Sequence, residues 1–276
     1  MSNEIFDPAI SYSLERAREL INGAATLVLT GAGISTSSGI PDYRGEGRVQ
    51  RHPLTFDEFM TSPSHQARYW ARSYVGFNRI AAAIPNPGHF AIARAEQAGK
   101  VHHIITQNVD GLHQKAGATK VVELHGRLDR INCTGCGKTI TRSEMDDLIR
   151  LLNPGVEKDL QAEFAPDGDA DIEVPAGFQV PHCIDCDSHF KPDVVFFGEQ
   201  VPLTRVELAN SLVDSAGAML VAGSSLTVNS GLRLVKRAKA REIPVVIVNL
   251  GETKADAIAD VKINASTTDL LGALFD

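Results

Sequence analysis

The sequence predicts an α/β protein built around a parallel sheet. Short apolar, β-branched runs recur at residues 26–30, 103–106, 121–124, 194–197, 218–222, 244–249 and 261–265, which is how strands buried on both faces read. Amphipathic helical patterns such as residues 13–22 and 231–241 lie between them. With 276 residues and 43% hydrophobic content, the chain has material for one large core and a smaller inserted one.

Taken in order, the first run feeds into Gly31-Ala32-Gly33 as a strand enters a dinucleotide-binding turn, but Thr36 stands where a third glycine is usual. Residues 46–84 then break the alternation with the helical, aromatic-bearing stretch RYWARSYVGF, bounded by Pro53 and Pro85. The second run leads into TQNVDGLH, placing Gln107, Asn108, Asp110 and His113 after a strand, and the third leads into His125. Residues 129–189 form a second interruption and hold all four cysteines. Later runs end at Gly223-Ser224 and at Asn249. The expected division is a sheet domain of residues 1–45, 85–128 and 190–276, a helical insert of 46–84, and a metal-binding module of 129–189.

A net charge of −7 argues against broad nucleic-acid binding, which rests on neutralising many phosphates. The basic cluster Arg233, Lys236, Arg237, Lys239 and Arg241 falls on an amphipathic helix and reads as a solvated face. No run of about 18 apolar residues occurs and the first residues lack a signal-peptide core, so a cytoplasmic protein without membrane partners is expected. Asp167, Asp169 and Asp171 imitate the start of a calcium loop, but Ile172 and Phe178 stand where its glycine and glutamate belong, so a solvated loop is expected.

Cys133-Thr-Gly-Cys136 and Cys183-Ile-Asp-Cys186 supply four thiolates, each pair spaced to chelate one tetrahedral ion. One structural zinc is the reading; redox dithiols and unligated core cysteines are the alternatives. A closed four-sulfur site leaves no position for substrate, so such a metal holds structure and does no chemistry.

A histidine, asparagine or aspartate after a strand is commonly structural. Here Gly31, Gly33, Asn108, Asp110, His125, Gly223 and Ser224 all fall at the ends of proposed parallel strands, where α/β sheets bind ligands. A nicotinamide dinucleotide suits the Gly- and Ser-rich turns. The acidic ribose partner of hydride-transfer enzymes, about twenty residues past the glycine turn, would fall inside the helical insert, which weakens a dehydrogenase reading.

Taken together, GAGISTSSGIPDYRG, TQNVDGLHQKAG, ELHG, the two CxxC pairs, KPDVVFFGE, GSSLTV and VNLG resemble the sirtuin family of NAD-dependent protein deacylases, over roughly residues 14–271 and most like its class II branch. The resemblance implies a Rossmann-like domain with an inserted zinc-binding module and a helical insert. It implies that NAD is consumed as a co-substrate. Gly31, Ala32, Gly33, Ser35, Asp42, Tyr43 and Arg44 match the family's cofactor loop. Gln107, Asn108, Val109 and Asp110 match its nicotinamide and ribose pocket, with Asn108 and Asp110 also expected to be catalytic. Gly223, Ser224 and Ser225 match phosphate and ribose contacts, and Asn249, Leu250, Gly251 and Thr267 the adenosine end. His125 matches the catalytic base beside the cofactor. Val194, Val195, Phe196, Phe197, Gly198 and Glu199 resemble the strand that pairs with the acyl-lysine substrate, with Val228 nearby.

The mechanism implied is attack of the acyl-lysine carbonyl oxygen on the ribose carbon bearing nicotinamide, which leaves. His125 then takes a proton from a ribose hydroxyl, whose oxygen attacks the resulting imidate carbon, and water completes formation of lysine and O-acyl-ADP-ribose. Tyr69 and Arg72, three apart on a helical pattern, resemble the pair by which some sirtuins hold acidic acyl groups, so acetyl, succinyl or glutaryl, and lipoyl all stay open. Tyr43 stands where Phe is frequent, and Asn229-Ser230 follows Val228 where many relatives have proline. The alternatives are a mono-ADP-ribosyltransferase on the same NAD site, a non-enzymatic NAD or redox sensor, and a hydride-transfer enzyme.

Overall fold

The computed structural model describes residues 6–43, 54–156 and 164–276. Its strands in chain order are β1 (Thr26–Thr30), β2 (Val101–Thr106), β3 (Val121–Glu123), β4 (Gly126–Cys133), β5 (Thr139–Thr141), β6 (Phe190–Val194), β7 (Ala218–Ala222), β8 (Val245–Val248) and β9 (Val261–Ile263). The helices are α1 (Pro8–Ile21), α2 (Phe56–Thr61), α3 (Pro63–Ala82), α4 (Pro87–Gln97), α5 (Leu112–Lys115), α6 (Arg142–Leu152), α7 (Leu203–Asp214), α8 (Asn229–Ala240) and α9 (Thr267–Phe275). The chain divides into two compact units, residues 1–39, 84–124 and 201–276, and residues 40–83 and 125–200.

The first unit holds a parallel sheet in the order β3-β2-β1-β7-β8-β9. Successive strand residues point to opposite faces. Val28, Leu220 and Val246 therefore join a core with Leu14 and Ala17 of α1, Ile92 of α4 and Leu270 of α9. Leu27, Leu29, Met219, Val221 and Ile247 join a second core with Leu212 of α7 and Leu234 and Val235 of α8. Both faces are covered, which is why these strands read as unbroken apolar runs. Strands 1 and 2 run outward to β3 on one side, and β7 to β9 run the other way, so the order reverses between β1 and β7. On the outer face of α8, Arg237 forms a two-pronged pair with Asp214 at 2.6 and 2.6 Å, and Lys239 pairs with Asp260.

The second unit is built on an antiparallel sheet, β5-β4-β6. The 194–197 run, expected to be a strand of the parallel sheet, instead contributes only Val194, at the end of β6, and β6 pairs antiparallel with β4 from Phe190↔Cys133 to Val194↔Gly126. An apolar run carries burial but no pairing direction. Residues 40–45, 125–128 and 190–200, expected with the sheet domain, fall in this unit for that reason. The helical segment and the cysteine segment also share one compact unit. Trp70 Nε1 of α3 donates to the Phe190 carbonyl at 3.2 Å, and the buried Arg142 of α6 donates to Ser73 O at 2.8 Å while lying 4.4 Å from the Phe77 ring. A capping box of Thr55 and Glu58 starts α2, and another of Thr141 and Glu144 starts α6. Among the described residues no helix is long and apolar enough to cross a membrane.

Candidate active site

In the first unit, the turns that follow β1 and β7 interlock through their glycines. Gly33 N–H donates to Gly223 O at 2.8 Å, and a Cβ at Gly33 would lie 2.9 Å from that same oxygen. Gly223 sits at φ +63°, and a Cβ there would approach Ile34 N to 2.3 Å. These glycines are required first by the close approach of one loop to the other. Next to them, Asn108 Nδ2 donates to Gly31 O and to Ser35 Oγ, both at 3.1 Å, while Ser35 Oγ donates to Asp110 Oδ2 at 2.7 Å. Asp110 Oδ1 also accepts the Leu112 amide at 2.9 Å, which fixes the turn into α5. Ser224 Oγ donates to Gln107 Oε1 at 2.8 Å, and α8 has glycine at position 231 because the Gln107 side chain lies where its Cβ would be.

The strand-end residues of β1, β2 and β7 are thus one hydrogen-bonded group at the point where the sheet order reverses, the place where open α/β sheets take ligands. Ala32 and Val109 are half-buried beside it, and Ser225 Oγ shares a hydrogen bond with Thr227. After β8, the Asn249 side chain donates to the carbonyls of Leu250 and Gly251, and Gly251 N–H donates to Asn264 Oδ1 at 2.8 Å. Thr267 is the buried first residue of α9, and Val228 is exposed immediately before α8.

In the second unit, His125 is half-buried just before β4, and its carbonyl accepts the Val195 amide at 2.9 Å. Val194 and Phe196 are buried, whereas Phe197 and Gly198 are exposed. Glu199 accepts from the Phe196 amide at 2.8 Å and pairs with Lys191 at 3.0 Å, which sets the turn after this segment. Tyr43 packs edge-on against Phe197 with centroids 5.9 Å apart, and Asp42 is half-buried beside it. Arg44 lies outside the described residues.

Tyr69 belongs to an aromatic cluster with Phe59, Trp70 and Phe196, and burial holds its hydroxyl far above the usual phenol range. Arg72 donates through Nε to the Ala170 carbonyl at 2.6 Å, and its guanidinium meets Asp169 at 3.3 Å and Asp171 at 2.9 Å. The acidic loop, expected to be solvated, is therefore clamped onto α3, where Gly76 leaves room for the Gly168 carbonyl.

The four cysteine sulfurs lie within 4.8 Å of one another, with Cys133 to Cys186 at 3.4 Å and Cys136 to Cys183 at 3.8 Å. A tetrahedron with Zn–S bonds near 2.3 Å has edges of about 3.8 Å, so the cluster fits one zinc. Hydrogen bonding from Ser188 holds the Cys186 thiol down at about 6, toward the thiolate that a metal requires.

Residues 31–230 match the Sir2 family. The chain belongs to the Sir2 family. It is 45% identical to NAD-dependent protein deacetylase 1 of Mycobacterium avium (strain 104), over 93% of each chain. It is 42% identical to the human NAD-dependent protein lipoamidase sirtuin-4, mitochondrial, over 89% of this chain and 80% of that one. Among solved structures, a Sir2 complex with p53 peptide and NAD+ superposes with a TM-score of 0.78 at 34% identity, covering 95% of this chain and 96% of that one.

In this sirtuin the group formed by Gly31, Ser35, Asn108 and Asp110 was foreseen from strand-end position, but its supports were not. Asn86, which caps α4, donates through Nδ2 to Ile34 O at 2.7 Å and Ser38 Oγ at 3.0 Å and so tethers the loop after β1. The only trace of this in the sequence is a cap residue before proline in IPNPGH.

Proposed function

We infer that this chain is an NAD-dependent protein-lysine deacylase that transfers the acyl group of acyl-lysine to ADP-ribose and releases nicotinamide. The observation that carries this reading is the hydrogen-bonded group of Ser35, Asn108 and Asp110 at the sheet's reversal point, in a chain of the Sir2 family. NAD, when bound, supplies the labile glycosidic bond. Gly31, Ser35, Gln107, Asn108, Asp110, Gly223 and Ser224 are proposed to hold and orient it, with Ala32, Val109 and Ser225 at the same loops, Asp42, Tyr43 and Arg44 on the cofactor segment, and Asn249, Leu250, Gly251 and Thr267 toward adenosine. His125 is proposed as the base that accepts the ribose hydroxyl proton. The segment from Val194 to Glu199, with Val228, is proposed to take the substrate backbone as an added strand.

Zinc is held by Cys133, Cys136, Cys183 and Cys186 and takes no part in the reaction, since four sulfurs close its coordination. Neutral acyl groups are proposed over diacids, because Asp169 and Asp171 already take up the Arg72 fork that a second carboxylate would use. The net charge of −7 supports substrates other than nucleic acid, and a cytoplasmic location without membrane partners belongs to the same reading.

Mass-spectrometric product analysis with NAD and acetyl, succinyl and lipoyl peptides tests it. The expected products are free lysine, nicotinamide and O-acyl-ADP-ribose; ADP-ribose fixed to protein without acyl loss would replace this reading with ADP-ribosyl transfer. His125→Ala is expected to lower turnover by about 10²–10⁴-fold, as loss of a general base does, with NAD binding retained.

A further inference from the structure

Two buried histidines have no part in the reading above. His89 of α4 and His113 of α5 are 0% and 1% exposed, and their rings meet edge to face with centroids 5.0 Å apart. Their hydrogen bonds decide which nitrogen of each neutral ring carries the proton. The Asn86 amide donates to His89 Nδ1 at 3.4 Å, so His89 is protonated on Nε2. Thr30 Oγ1 donates its single proton to Thr106 Oγ1 at 2.9 Å and also meets His113 Nε2 at 2.9 Å. Thr30 must therefore accept from His113, which is protonated on Nε2 and keeps Nδ1 as an acceptor.

The two nitrogens left over, His89 Nε2 and His113 Nδ1, are both buried without a hydrogen-bond partner. One is a donor and the other an acceptor. Leaving both unsatisfied in a dry interior costs each ring its desolvation, whereas facing one another they complete a chain of constant direction. Burial keeps both rings neutral, pushing His89 down to about 4 and His113 to about 3, which preserves that direction at neutral pH.

We propose that His89 and His113 are a positioning pair that closes a hydrogen-bond relay from Asn86 through both rings and Thr30 to Thr106, and so locks the Gln107–Asp110 turn. The far end of the relay is specific, since Thr106 Oγ1 also accepts the Asn108 amide at 3.1 Å. Its near end is the residue that tethers Ile34 and Ser38, so one relay reaches both loops around the sheet's reversal point. Neither histidine touches the reacting atoms in this scheme. Its functional half rests on the proposed NAD site; its structural half does not.

Thr30→Val removes the central hydroxyl at nearly constant volume, Thr30→Ser restores it, and His113→Leu removes the ring's polarity. In the NAD-free protein, amide hydrogen exchange at Asn108 is expected to accelerate about 10-fold in Thr30→Val and His113→Leu, the equivalent of one lost hydrogen bond, and to stay near wild type in Thr30→Ser. In the enzyme, the KM for NAD is expected to rise by about the same factor, with the acyl-peptide KM and zinc content unchanged. Unchanged exchange at Asn108, or acceleration spread evenly over the sheet, overturns the relay. Faster exchange with an unmoved NAD KM overturns its functional half. A wild-type chain that binds no NAD defeats the proposed function instead, and the exchange measurement still decides the relay.

Discussion

Every residue of β1 and β7 is buried, whereas β4 alternates buried and half-buried positions along its length. The first pair sits between two apolar cores; the second belongs to a three-stranded sheet stabilised by an aromatic cluster, clamped charges and four cysteines. The comparison teaches a division of labour in how order is obtained. Where both sheet faces can be covered by helices, burial suffices and polar side chains are free to gather at the strand ends. In the other unit, the ordering falls to specific contacts, each of which a single substitution can remove.

The sharpest way to break this contrast is at the metal. Cys133→Ala, or a strong chelator, is expected to release zinc and abolish hydrogen-exchange protection across residues 125–200, while β1, β2, β7 and β8 stay protected. Metal content with segment-resolved exchange checks it. Full protection of β4 without zinc would mean that the contacts of the second unit suffice alone.

Acid is expected to work in the opposite direction, on the first unit. His89 and His113 are neutral in the fold, at about 4 and about 3, but titrate near 6.5 once unfolded. Their stabilisation is complete above pH 6.5 and is lost as pH falls toward 4 and 3, each steepening the slope by up to about 1.4 kcal/mol per pH unit. The nearby Asp110 charge opposes this for His89. Denaturant titrations from pH 7 to 4 monitored at the parallel sheet, with His113→Leu for comparison, provide the measurement.

A smaller effect is expected from Gly223→Ala, which places a methyl 2.3 Å from Ile34 N at a positive φ. The first unit should lose about 1–3 kcal/mol, read from the denaturation midpoint, with the second unit unaffected. The smallest effect is expected at the acidic loop. Converting Asp169 and Asp171 together to asparagine should change stability by about 1 kcal/mol or less, yet raise the succinyl rate relative to acetyl by freeing Arg72. An unchanged ratio would detach Arg72 from acyl choice.

What could be read from the sequence follows the same divide. The runs at Thr26–Thr30 and Ala218–Ala222 coincide with β1 and β7 because a strand buried on both faces announces itself locally. Asn108, Asp110 and the glycine turns were legible because the sheet's geometry dictates where ligands go. Val194 to Phe197 misled, since the pairing of β6 with β4 depends on residues some sixty positions away. Arg72 likewise carries no sign of Asp169 and Asp171 in its neighbourhood. His89 and His113 were the hardest, because a buried histidine in a helix reads as packing until its two nitrogens are separately accounted for.

The order of the first sheet bears on how the protein is made. Strand β1 pairs on one side with β2, but its other partner, β7, begins only at Ala218. At about 5–20 residues per second, a ribosome needs roughly 10–40 s to bridge the interval from Thr30. Throughout that time TLVLT has one open backbone edge and no α7 or α8 to cover it. Nascent chains of this protein therefore spend most of their synthesis with their most apolar strand half-sheltered, and a stall before Ala218 would leave a fragment primed to pair with another of its kind.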